Sequence, residues 1–153
     1  MKKSVFPTGK NDPPPLKAIV SRRARFEETD QLGIVWHGRY ASYFEDARTA
    51  LGERYGIGYL TFYENGIIAP IKRLHLDYDR PLRFQEEFLV EAVLHWSEAA
   101  RINISYTITD SQGIATTTGH TVQVMLDHEF NLLLVHPPFF ARFREKWRLG
   151  EFA

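Results

Sequence analysis

The 153 residues hold 19 Lys and Arg against 19 Asp and Glu, with 44% hydrophobic side chains, so the chain has the length of one domain and ample apolar mass for a core. A formal charge of zero offers nucleic acid no broad basic surface and supplies no polybasic membrane anchor, and the absence of cysteine excludes a disulfide framework, a thiol nucleophile and thiolate metal ligation. No apolar run approaches the ~20 residues of a bilayer span, and Met1-Lys2-Lys3 leads into proline and charge rather than a signal-peptide core, which predicts a cytoplasmic protein.

Residues 1–16 carry Gly9, Asp12 and the run Pro13-Pro14-Pro15, which donates no ladder hydrogen bonds and favours extended backbone, so a flexible arm is expected before a single domain over residues 17–149. Lys17 to Glu28 alternates loosely as a strand with a basic, exposed face. A turn containing Asp30 and Gly33 follows, then the apolar run Ile34-Val35-Trp36. From Ala41 to Tyr55 the residues Ala41, Phe44, Arg48, Leu51 and Tyr55 recur at helical spacing, and Gly56 and Gly58 supply the stop. Thr61 to Gly66 reads as a connector. Ile67 to Tyr78 is a long strand whose first part Pro70 demotes to an edge or bulge, and Asp79 to Gln85 is a turn. Glu87–His95, Ala100–Thr109 and Ile114–Leu126 alternate at period two, and Phe139 to Trp147 repeats as a short terminal helix after Pro137-Pro138. The pattern is α+β: consecutive antiparallel strands with one buried face, and one long helix to cover it.

Asp30 stands just before the start of that helix. An N-terminus leaves backbone N–H groups without partners and carries partial positive charge, so it stabilises the oxyanion formed when a carbonyl is attacked. A carboxylate beside such a site suits acyl transfer or hydrolysis. The alternative reading is that Asp30 caps its own turn. His37 has the same two faces: a ring for acid-base chemistry near neutral pH, or a residue that matters through its backbone N–H. Tyr40, Tyr43, Phe44 and Trp36 line an acyl pocket, pack the core, or do both. The six histidines fall at no metal-binding spacing, so no metal site is expected.

The run Asp30-Gln31-Leu32-Gly33-Ile34-Val35-Trp36-His37-Gly38-Arg39-Tyr40, with the aromatic and acidic helix behind it, resembles the 4-hydroxybenzoyl-CoA thioesterase-like branch of the hotdog superfamily, including YbgC-like acyl-CoA thioesterases. The likeness extends from about Ile19 to Trp147. It implies a hotdog fold, an antiparallel sheet wrapped around one long central helix with a short C-terminal helix. It also implies thioester hydrolysis, with Asp30 as nucleophile or general base, the N–H near His37 as oxyanion donor and Glu45 at an acidic helix position. Gly33, Val35, Trp36, Tyr40 and Phe44 then shape the substrate site. Arg73 and Arg80 are candidates for the phosphates of coenzyme A, which reward Arg or Lys at a pocket mouth. Two positions depart from the pattern: Arg39 stands where many relatives have Asn, and Phe26 where some have Tyr.

The resemblance further implies a homodimer or homotetramer with joined sheets, an acyl-CoA or acyl-carrier-protein substrate, no dissociable cofactor, and neither nucleic acid nor membrane as partner. A non-catalytic acyl-thioester binding, sensor or scaffold protein of the same fold is the alternative. A hotdog dehydratase ranks lower, because its His-based motifs are not found around His37.

Overall fold

The computed structural model describes residues 4–152, so the first three residues of the expected arm lie outside the described residues. Five strands form one antiparallel sheet: β1 (Leu16–Arg23), β2 (Ile71–Tyr78), β3 (Glu87–His95), β4 (Arg101–Asp110) and β5 (Ala115–Val124), in the spatial order β1-β3-β4-β5-β2. The long helix α1 (Tyr40–Tyr55) packs on one face, and the short helices α2 (Tyr59–Glu64) and α3 (Pro138–Arg148) complete the layer. This is the hotdog arrangement. Strict alternation puts Phe88, Val90, Ala92 and Leu94 of β3, and Ile102, Ile104, Tyr106 and Ile108 of β4, on the face that α1 covers.

Differences from the sequence expectation are local and have physical causes. The first strand ends at Arg23 rather than Glu28, because residues 26–28 wind into a 3-10 turn closed by the Arg25 N–H donating to Glu28 Oε1 (2.8 Å) and the Thr29 N–H to the Phe26 carbonyl (3.1 Å). Leu16 already belongs to β1. Thr61 to Glu64, expected as part of a connector, belong to α2, whose six residues are too few to display a helical period. The strand read from Ile67 begins regular pairing only at Ile71; Ile68 makes an isolated bridge to Leu126, and the β2–β5 register slips between Ile71 and Arg73, just after Pro70. The buried stripe of α1 is Tyr40, Tyr43, Phe44, Ala47, Leu51 and Gly52, so Ala41, Arg48 and Tyr55 lie at its margin.

β2 lies at the sheet edge, and most of its residues are exposed, among them Ile71, Leu74 and Tyr78. At the other end of the sheet the proline segment is held: Pro13 is buried, and the Trp147 indole donates to the Pro14 carbonyl (2.8 Å).

Candidate active site

Asp30 heads a tight turn. Its N–H donates to the Ile34 carbonyl (2.9 Å), the Gly33 N–H donates back to the Asp30 carbonyl (3.0 Å), and the Leu32 N–H donates to the carboxylate Oδ1 (2.8 Å). Gly33 has φ +74°, the left-handed conformation such a turn needs and glycine adopts without penalty. The turn-capping reading of Asp30 is therefore met, yet only by Oδ1; Oδ2 has no hydrogen-bond partner among the described residues, and the side chain is half-buried. Long-range bonds anchor the loop: Val35 N–H to the Leu82 carbonyl (2.8 Å), Trp36 N–H to the Glu28 carbonyl (2.8 Å), and a bridge between Ile34 and Arg83.

The chain then enters a 3-10 turn, residues 37–39, continuous with α1. Neither segment has a side-chain cap, and no acidic residue sits in either first turn, so the positive end of the helix is not neutralised locally. The N–H groups of His37 and Gly38 have no acceptor among the described residues. Gly38 allows a close approach: a Cβ there would collide with the Trp36 ring, which covers this end of the turn. Tyr78 of β2 donates its hydroxyl to the His37 carbonyl (2.7 Å), and the Leu82 N–H donates to the Tyr40 hydroxyl (3.3 Å). The edge strand and the segment after it thus position the helix start.

Burial raises the Tyr40 pKa; the Leu82 hydrogen bond opposes this, while Tyr78 and the nearby Glu86 and Asp30 carboxylates add to it. Tyr43, one turn on, has a buried hydroxyl facing the Glu28 carboxylate, and burial followed by that carboxylate pushes its pKa up. Both rings make edge contacts, Tyr40 with Tyr78 (4.9 Å between centroids) and Tyr43 with Phe88 (4.8 Å).

The candidate residues divide by place. Gly33, Val35, His37 and Tyr40 are tied to residues 78–84, while Asp30 is held within its own turn and Trp36 by the Glu28 carbonyl. Phe44 is core, stacked on Tyr106 with centroids 4.3 Å apart. Glu45, on the next turn, is ion-paired with Arg48. Arg80 is exposed two residues before Leu82, whereas Arg73 lies toward the other end of β2. Tyr78 as a positioning residue was not visible in the sequence, because its contact spans 41 positions.

One antiparallel sheet wrapped around a single long helix, with a carboxylate-bearing turn on the loop that leads into that helix, defines the hotdog class. The sequence pattern of the Thioesterase-like superfamily matches residues 24–143, and the chain belongs to that family. It is 28% identical over 105 residues to the "Putative acyl-CoA thioesterase YneP" of Bacillus subtilis (strain 168), covering 69% of this chain and 76% of that one. To a "Putative esterase" of Aquifex aeolicus (strain VF5) it is 30% identical over 109 residues, 71% and 84% of the two chains. Among solved structures, DHNA-CoA thioesterase from Staphylococcus aureus superposes with a TM-score of 0.77 at 26% identity, over 89% of this chain and 93% of that one.

Proposed function

We propose that the protein hydrolyses an acyl thioester, carried on coenzyme A or an acyl-carrier protein, to free acid and thiol. Membership of the thioesterase-like superfamily makes it a thioester hydrolase. The observation that supports the residue assignment is the half-buried Asp30 carboxylate, held by Leu32 through one oxygen and open at the other, on the loop that leads into the turn whose His37 and Gly38 N–H groups have no acceptor among the described residues.

In the base route, Asp30 takes a proton from water as the water oxygen bonds to the carbonyl carbon. In the nucleophile route, the carboxylate itself bonds to that carbon and gives a mixed anhydride, which water opens. Either way the carbonyl electron pair moves onto oxygen, where the His37 and Gly38 N–H groups and the positive end of α1 stabilise it. Collapse breaks the carbon–sulfur bond, and the thiolate leaves and is protonated. Trp36, Val35, Gly33, Tyr40 and Phe44 shape the space around the acyl group. Glu45 is held by Arg48 and orients the wall rather than the reacting atoms.

The exposed edge strand β2 is the joint with a second copy, whose own β2 pairs with it to extend the sheet. A homodimer results, and two such dimers give a tetramer. In the dimer, Arg73 on this edge and Arg80 just beyond it serve the phosphates of coenzyme A.

The test is turnover of acyl-CoAs in heavy-oxygen water, with mass spectrometry of product and protein. The expected result is free thiol and, over many turnovers, labelled acid; in a single turnover the base route puts the label in the acid, whereas a nucleophile route in which water opens the anhydride at the Asp30 carboxyl carbon puts it in Asp30 and leaves the acid unlabelled. Failure to release thiol from any acyl-CoA or acyl-carrier-protein thioester would contradict the proposal.

A further inference from the structure

A cavity of about 600 Å³ opens beside the C-terminal half of α1, away from the Asp30 turn. Its volume falls in the range of small-molecule sites, roughly 300–1,000 Å³. Leu51 of α1, Ile57, Phe62 of α2, Ile67, and Ile102 and Ile104 of β4 form its apolar walls. The polar groups deepest in the wall are already engaged. The Gln123 amide, 5% exposed, donates to the Ala69 carbonyl (2.6 Å), and Arg48 is neutralised by Glu45. A ligand seated there gains from apolar contact and has no buried charge to meet.

The position is as informative as the lining. The cavity lies on the same sheet face as the α1 N-terminus, and on β4 it begins next to Tyr106, which stacks on Phe44. From Tyr40 to Arg48 the helix advances about 12 Å at ~1.5 Å per residue. Extended backbone gains roughly 1.2 Å per bond over its three bonds per residue, and an extended alkyl chain gains about the same, so about ten bonds separate a carbonyl at the helix start from the cavity mouth. Acetyl, hexanoyl and single-ring aromatic groups stop short of it.

We infer that this cavity, walled by α1, α2 and the lead-in to β2, receives the distal end of a medium-to-long aliphatic acyl chain, making the substrate class a fatty acyl thioester rather than a short or aromatic one. The inference rests on the thioesterase reading and adds the acyl class to it. Ile67 and Ala69, on the lead-in to β2, are its specificity-determining positions.

The experiment compares thiol release from acetyl-, hexanoyl-, benzoyl- and myristoyl-CoA by wild type, Ile67→Trp and Ala69→Phe, the thermal midpoint and sedimentation of each variant being recorded. Wild type is expected to favour myristoyl-CoA, and a variant that fills the cavity to lower the myristoyl-to-hexanoyl ratio of kcat/KM about tenfold or more, the hexanoyl rate being kept. A wild type that prefers acetyl or benzoyl, or a ratio unmoved in both variants, overturns the inference and leaves the thioesterase reading standing. Variants that turn monomeric with an unmoved ratio identify the occupant as a second copy of the chain, which also overturns it. If no thioester is hydrolysed, the thioesterase reading fails by itself, and binding of non-hydrolysable myristoyl and hexanoyl thioethers of coenzyme A decides the cavity. Tighter myristoyl binding that Ile67→Trp abolishes sustains it, and equal binding overturns it.

Discussion

At the scale of single residues, the site depends on groups that hold the helix start still. Tyr78 holds the His37 carbonyl from the edge strand through one hydroxyl (2.7 Å). Tyr78→Phe removes that bond and little else, so a stability loss of about 0.5–1.5 kcal/mol is expected in urea unfolding, together with a lower kcat on a thioester substrate. No change in either would mean that the 3-10 turn at His37 is positioned by other contacts. Part of this site was legible in the sequence: Asp30 followed by Gly33 marks a turn by local chemistry alone, and His37 before a periodic run marks a helix start. What was hidden depends on pairing over distance. Leu82 reaches Val35 and Tyr40 only because the segment after β2 folds back over the loop, and Arg48 neutralises Glu45 in a way that spacing permits without specifying.

At the scale of elements, the long helix and the sheet meet at one tight crossing. Gly119 of β5 has no room for a side chain: an added Cβ would overlap the His75 carbonyl and lie 2.6 Å from Phe44 Cε2, with Phe44 itself clamped against Tyr106. Gly119→Ala is expected to destabilise by about 1–3 kcal/mol, read from the urea midpoint, and an unchanged midpoint would show that α1 yields there. Elements with a long, clean period were readable, and β3, β4, α1 and α3 fall close to their expected bounds. The errors lie where a few local bonds outweigh periodicity. Glu28 closes a turn onto Arg25 and ends β1 early, while α2 occupies only six residues bounded by Gly58 and Asn65. The stripe of α1 shifted because Tyr40 and Tyr43, aromatic residues next to a polar loop, are swallowed by the core.

At the scale of the whole molecule, pH and self-association are the accessible variables. His95, His120 and His136 each have a pKa lowered from the ordinary 6.5, in every case chiefly by burial, with cationic or histidine neighbours adding to it. Below 6.5 the unfolded chain takes up protons that the folded protein disfavours, so the stability these residues permit is present above that pH and is lost as pH falls toward their lowered folded values. Urea unfolding at about pH 7.5 and about pH 5.5 should give the lower stability at the acid point, with a smaller difference in His95→Gln; a difference of opposite sign would contradict the burial account. For assembly, the exposed β2 edge with Leu74 on its inner face is the proposed dimer joint. Sedimentation is expected to give a dimer that Leu74→Lys converts to monomer with loss of turnover, and a dimer indifferent to that change would place the joint elsewhere. The most direct test of the central claim is thiol release by wild type beside Asp30→Asn, with acyl-CoA binding measured in parallel. Turnover by wild type, reduced at least ~100-fold in Asp30→Asn while binding and folding are kept, is the expected result. Equal turnover in the two proteins would remove Asp30 from the chemistry, and tight binding with no turnover in either would make the protein an acyl-thioester binder.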